Sequence, residues 1–298
     1  MMNKLSISSN FCGQLQYEHS TFPGGEVFFR LNEASIKNIL MMNNKDKVIN
    51  ITARIYDSND LLMLIMAVDA IRGVSQTQGL NPVTINLKLP YVPYARQDRV
   101  CSPGESFSLK AFCKLINSLD LNSVELFDPH STVTTALLDK SYEDTIAYEK
   151  FIEDSVLGLG DTKFAVVSPD AGALKKVHSI AKYLHKKCCL SDDIIVGAKV
   201  RDMASGKILH TSVNTDNLNG MDCVIFDDIC DGGRTFVELA LVLKNKGAGK
   251  IGLVVSHGIF SKGLIPFAGL IDWVVSSNSW PKPDPIDAVD YRQIRVFV

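Results

Sequence analysis

The sequence predicts an α/β protein of two domains, each a mainly parallel sheet flanked by helices. Three observations predict it. Short apolar runs alternate with amphipathic helical stretches along the chain, the pattern of repeated strand–helix–strand units. At 298 residues the chain exceeds the size at which one core usually stops growing. Each half also contains strands that end in polar loops, so a cut near Asp144 leaves two related domains, 1–144 and 145–298.

Composition narrows the classes. Apolar residues make up 46% and charged residues 21%, as in ordinary soluble globular proteins. The net charge of −2 excludes a broad basic surface for nucleic acid, so any bound anion must be met by local clusters. The seven cysteines are odd in number and never spaced Cys-x-x-Cys, and the neighbours Cys188 and Cys189 lie in an apolar run. Buried thiols are expected rather than metal ligands or disulfides. The N-terminus lacks a basic-then-apolar signal pattern, and apolar runs fall short of the ~20 residues that span a bilayer. A reducing, cytoplasmic setting without membrane attachment is the expectation. The sequon at Asn50 falls in an expected strand and carries no meaning there.

In chain order, apolar runs of strand length occur at 5–8, 48–53, 83–89, 123–127, 164–168, 187–190, 223–226, 251–256 and 273–276. Helical periodicity covers 59–78, 108–119, 171–185 and 236–246. Residues 200–212, with Ser205 and Gly206 at their centre, read as a β-hairpin flap.

The chemistry-bearing residues follow strands. Phe22-Pro-Gly-Gly-Glu26 is a turn signal, which accounts for most of it; an aromatic beside an acid also suits a nucleobase. After the run at 83–89, Tyr94 is followed by Arg96, Gln97, Asp98 and Arg99. Arginine suits such a place because its planar fork grips phosphate oxygens with two N–H bonds. Residues 100–106 contain Ser-Pro-Gly and read as a mobile loop. Strand 123–127 delivers Asp128-Pro-His130, placing an imidazole where open α/β sheets bind ligands. Strand 164–168 delivers Pro169-Asp-Ala-Gly172, small residues at a helix start with Asp170 as a possible metal ligand. Lys199 and Arg201 stand at i and i+2, one face of a strand, where two cations want an anion between them.

The most informative stretch is 222–236. An apolar run ends in Asp227 and Asp228, passes through Asp231, Gly232, Gly233 and Arg234, and reaches Thr235 at a helix start. Loop N–H groups, a helix dipole and glycines make an anion site. Paired acids repel a bare phosphate but suit ribose hydroxyls or a bridging Mg²⁺. A pentose phosphate fits both halves. By contrast, Gly247-Ala-Gly-Lys-Ile-Gly252 follows a helix and precedes a strand, the reverse of a dinucleotide fingerprint, and reads as a helix C-cap. No P-loop pattern exists.

The 227–235 loop resembles the phosphoribosyl-diphosphate loop of type I phosphoribosyltransferases. Together with the segments at 22–26, 94–99, 128–130, 167–172, 199–201 and Ser256-His-Gly-Ile-Phe260, in that order, the chain resembles the ribose-phosphate diphosphokinase family over roughly residues 20 to 280. The resemblance implies two type I phosphoribosyltransferase-like domains, 1–144 on the ATP side and 145–298 on the ribose 5-phosphate side. It implies transfer of the diphosphoryl group of Mg-ATP to the 1-hydroxyl of ribose 5-phosphate, giving 5-phosphoribosyl 1-diphosphate and AMP. Phe22, Glu26, Arg96, Gln97 and Arg99 would bind ATP; His130 and Asp170 would bind Mg²⁺; Lys199 and Arg201 would be catalytic. Asp227, Asp228, Asp231, Gly232, Gly233, Arg234 and Thr235 would hold ribose 5-phosphate. A homo-oligomer, dimer or hexamer, with its active site near a subunit interface is implied, with Phe22 and Glu26 meeting adenine across it. Three departures stand out: Gly24 where the family usually has Asp or Asn, Val100 and Cys101 where many members carry basic residues, and Arg234 at a usually small position. A phosphoribosyltransferase and a non-catalytic regulatory subunit of a synthase are the alternatives.

Overall fold

In a computed structural model describing residues 4–9, 11–42, 48–77, 83–157, 163–186, 194–201, 208–280 and 294–296, the expected alternation appears residue by residue. In β5 (Val48–Ala53), Ile49, Ile51 and Ala53 are buried while their neighbours are half-buried, and β6 (Thr84–Leu89) repeats the pattern. One face of these strands therefore enters the core, as period-2 patterning requires.

The chain divides into two compact units, Met1–Asp144 and Thr145–Val298. The first contains β1 (Leu5–Ser9), β2 (Gly13–Leu15), β3 (Tyr17–Thr21), β4 (Val27–Leu31), α1 (Glu33–Met41), β5 and α2 (Ser58–Thr77). After β6 come α3 (Ser108–Asn117), β7 (Ser123–Leu126), α4 (Thr132–Leu137) and β8 (Ser141–Glu143). Its main sheet has the order β2-β1-β5-β6-β7-β8, with β5 to β8 parallel and β1 antiparallel to both neighbours. β3 and β4 form a separate antiparallel pair. The start of α2 is pinned twice: Asp60 N–H donates to Asp57 Oδ1 at 3.0 Å, and Asp60 Oδ2 accepts from Tyr56 N–H at 2.9 Å. This reciprocal arrangement satisfies N–H groups that the helix itself leaves open.

The second unit contains α5 (Thr145–Val156), β9 (Phe164–Ser168), α6 (Leu174–Leu184), β10 (Ile195–Arg201), β11 (Ile208–Val213), β12 (Asp222–Cys230) and α7 (Arg234–Asn245). It continues through β13 (Ile251–Gly258), a 3-10 turn at Ile265–Phe267, β14 (Trp273–Ser276) and β15 (Ile294–Val296). The sheet order is β11-β10-β9-β12-β13-β14-β15; all pairs are parallel except β10 with β11. β9 and β13 are buried along their whole length, which explains their unbroken apolar runs. Each unit has its own core, one around Ile51, Leu64 and Leu87, the other around Val167, Ile225 and Leu253.

The differences from expectation have physical causes. The strand expected at 223–226 runs on to Cys230 because β13 continues beside it, pairing Asp227 with Val255 and Cys230 with Gly258. The helix expected at 171–185 begins at Leu174, since Asp170 Oδ1 accepts from Gly172 N–H (3.0 Å) and Ala173 N–H (3.2 Å) and turns the chain first. The strand proposed at 187–190, with Cys188 and Cys189, lies outside the described residues, as does the tip 202–207 of the β10–β11 hairpin. Gly247 sits at φ +80°, and Ala248 N–H donates to Leu243 O, the helix C-cap expected there. Among the described cysteines, Cys113, Cys223 and Cys230 are buried free thiols. Burial pushes Cys113 up to about 11 and Cys223 to about 12, so both stay protonated and unreactive.

Candidate active site

In the first unit the site residues lie past two neighbouring parallel strands. β6 and β7 pair at Leu89 and Leu126, so the loops leaving their carboxyl ends emerge side by side. The β6 loop turns sharply at Tyr94, whose φ is +62°, and Gln97 N–H donates to Tyr94 O at 2.9 Å. The β7 loop turns at Asp128, φ +43° and fully buried. A side chain at positive φ is strained, and strain held at two adjacent loops marks a site whose geometry is fixed by its surroundings.

These loops meet. The Asp98 carboxyl is held below the usual carboxylate range, first by a hydrogen bond from Ser131, then by Arg99 and by the charge of His130. Arg99 Nε lies 3.0 Å from Asp98 Oδ1, and Ser131 Oγ also accepts from Val133 N–H to cap α4. Arg96, Gln97, Arg99 and His130 present exposed side chains around this link. Asp98, which the sequence left without a role, is thus the connector. Its signal was its place between two arginines. The 100–106 segment, all exposed, is closed by Glu105 Oε2, which accepts from Cys101 N–H at 2.7 Å and Ser102 N–H at 3.0 Å.

Phe22 and Glu26 are elsewhere in this unit, at the turn of the β3–β4 hairpin. Phe22 N–H donates to Glu26 O at 2.8 Å, Gly25 turns at φ +93°, and the Phe22 ring is half exposed, edge-on to Phe28 at 6.0 Å. Among the described residues no hydrogen bond or ring contact joins them to Arg96, Arg99 or His130.

In the second unit β10, β9 and β12 are consecutive in the sheet. Asp170 leaves the end of β9; Asp227 and Asp228 are still within β12. The Asp227 carboxyl is pushed well above its usual range, chiefly by loss of water and then by the Asp228 charge, with Asp170 adding to it. Lys176 Nζ lies 3.6 Å from Asp228 Oδ2. No three His, Cys, Asp or Glu side chains among the described residues form a ready-made metal site.

Beyond Cys230 the chain passes Asp231 and Gly232 to Gly233, which caps α7 at φ +74° with no side-chain bond. Arg234, not Thr235, is the first helical residue; Thr235 stands one position inside. A Cβ at Gly233 would lie 2.6 Å from Phe267 Cζ, so glycine is required by both space and backbone. First-turn N–H groups of such a helix face outward for an anion. Arg234 Nε lies 2.6 Å from Glu238 Oε1.

On β10, Lys199 pairs with Thr211 and Arg201 with Ile208, with a register shift between Val200 and Arg201. Gly197 ties β10 to the β9 exit: a Cβ there would stand 2.6 Å from the Pro169 carbonyl oxygen.

Comparison with known proteins follows the same lines. Residues 135–264 match the phosphoribosyl transferase domain family. The chain is 29% identical to the ribose-phosphate pyrophosphokinase of Mycoplasmopsis pulmonis over 286 residues, covering 94% of this chain and 83% of the relative. It is 29% identical to that of Hyphomonas neptunium over 245 residues, covering 82% and 72%. The fold matches the crystal structure of phosphoribosylpyrophosphate synthetase from Mycobacterium smegmatis with a TM-score of 0.69, at 20% identity, over 95% of this chain and 86% of that one. With two mainly parallel sheets and this ordered set of loops, the chain carries a phosphoribosyl transferase domain match in its second half and is similar over most of its length to ribose-phosphate pyrophosphokinases.

Proposed function

We propose that the protein transfers the diphosphoryl group of Mg-ATP to the 1-hydroxyl of ribose 5-phosphate, giving 5-phosphoribosyl 1-diphosphate and AMP. The observation that carries this reading is the Asp227–Asp228 pair beside the Gly233-started helix. Acceptors for ribose hydroxyls and N–H donors for a phosphate stand next to each other there. The second unit is the ribose 5-phosphate side, with Asp231, Gly232, Gly233, Arg234 and Thr235 around the phosphate. The first is the ATP side, where Arg96, Gln97 and Arg99 grip phosphate oxygens and the Asp98–Ser131 link holds the two loops in register.

A bond forms between the sugar O1 and the β-phosphorus as the bond from that phosphorus to the AMP oxygen breaks, and the O1 proton leaves to solvent. Little covalent help is needed; alignment and positive charge do most of the work. Lys199 and Arg201 neutralise charge on the moving group. His130 on the ATP side and Asp170 on the ribose 5-phosphate side would each bind Mg²⁺, which would supply further charge neutralisation on the phosphates. Phe22 and Glu26 meet adenine from a neighbouring subunit of a homo-oligomer, dimer or hexamer, which accounts for their place on a separate hairpin.

A phosphoribosyltransferase would have no use for Arg96, Gln97 and Arg99, and a regulatory subunit none for Lys199 and Arg201. The test is a coupled assay for AMP with ATP, Mg²⁺ and ribose 5-phosphate, alongside Lys199→Ala. Sugar-dependent AMP that falls at least about 100-fold in the variant is expected, the order lost with one charge-stabilising group. Folded protein that binds ATP but forms no AMP would instead mark a regulatory subunit.

A further inference from the structure

A second cation, besides Arg234, lies on the glycine loop. Arg234 turns along its own helix to Glu238. Lys262, in the turn after β13, lies against Gly232. Its Cε and Cδ stand 3.7 and 3.8 Å from the point a Cβ on Gly232 would occupy. That turn is clamped to the loop. Ile259 and Phe260 both donate N–H to the Cys230 carbonyl, at 2.8 and 3.1 Å, and Gly263 N–H donates to Phe260 O at 2.8 Å. The Phe267 ring packs against Gly233 and lies edge-on to Phe260 at 6.3 Å. Backbone bonds therefore fix the turn that carries Lys262, whose stem lies over a loop position that has no side chain of its own. Among the described residues Lys262 forms no ion pair, and its side chain is exposed, so its charge is balanced by no carboxylate.

We propose that Lys262 is a further substrate-binding residue, its ammonium closing over the 5-phosphate of the sugar seated on the 231–235 loop. The inference rests on the reading of that loop as the ribose 5-phosphate site and deepens it. A phosphate monoester carries nearly two negative charges, and Asp231 adds another beside it. The half charge of a helix terminus offsets only part of this. A lysine on a pinned stem supplies a mobile point charge that leaves the helix N–H groups free to bond the oxygens.

The test is calorimetric titration of ribose 5-phosphate into the full chain, with steady-state KM for both substrates, for Lys262→Gln, Lys262→Arg and Asp228→Asn. Lys262→Gln should weaken ribose 5-phosphate about tenfold, the loss of one charge-assisted bond, with Lys262→Arg restoring most of it and KM for ATP unchanged. Unchanged sugar binding in Lys262→Gln alongside a loss in Asp228→Asn would overturn the role of Lys262 and leave the loop reading intact. Equal increases in both KM values would make Lys262 a structural residue and overturn the proposal. Unchanged sugar binding in both Lys262→Gln and Asp228→Asn would overturn the loop reading together with it.

Discussion

Asp227 holds a carboxyl in a place that disfavours its charge. Its pKa lies above the unfolded value, so between those two values the folded chain binds more protons than the unfolded one. Stability from this group is therefore fully present below the ordinary carboxylate range and is lost as pH rises through the raised pKa. Asp227→Asn should melt higher than the parent at pH 8 to 9 and lose that part of the pH slope. It should also lose most of its sugar-dependent AMP formation; thermal melts across pH, run beside the assay, check both. Chain order alone announced the acid pair, because two adjacent carboxylates before glycines have few other uses. Their crowding by Asp170 was not legible, since it depends on β9 lying next to β12. Lys262 was illegible for the same reason. Its meaning comes from Ile259 and Phe260 folding back onto Cys230, not from its neighbours in sequence.

At the scale of elements, strands were readable wherever burial imposed an unbroken or alternating apolar run, as in β5, β9 and β13. Short polar pieces such as β3 and β8 were not, because little apolar surface marks them. In the β3–β4 hairpin only β4 carries buried core residues, Val27 and Leu31, while β3 is exposed along most of its length. Glycines set how close elements come. Gly197 lets β10 press on the Pro169 carbonyl, a backbone atom that cannot step aside as a side chain can. Gly197→Ala should cost about 1–3 kcal/mol, the usual range for overpacking, and displace the Asp170 turn. Denaturant titration gives the first number. Weakened Mg²⁺ dependence of AMP formation would report the second.

For the whole molecule, two cores with separate site loops predict separable defects. Arg96→Ala should raise KM for ATP about tenfold or more with KM for ribose 5-phosphate unchanged, and Asp228→Asn should do the reverse. A cross-over of these effects in steady-state kinetics would contradict the division of labour. The two-sheet plan was legible from alternation and length; the short edge strand β2 was not, since little apolar surface marks it. The hairpin turn at 22–26 couples two of its own positions. A Cβ at Gly24 would stand 3.2 Å from Glu26 Oε2, so the glycine gives that carboxylate room to fold back over the turn. An acid placed at position 24 would therefore set two like charges against each other and swing Glu26 outward. The two positions are epistatic. A longer side chain at position 24 and the folded-back Glu26 therefore compete for the same space.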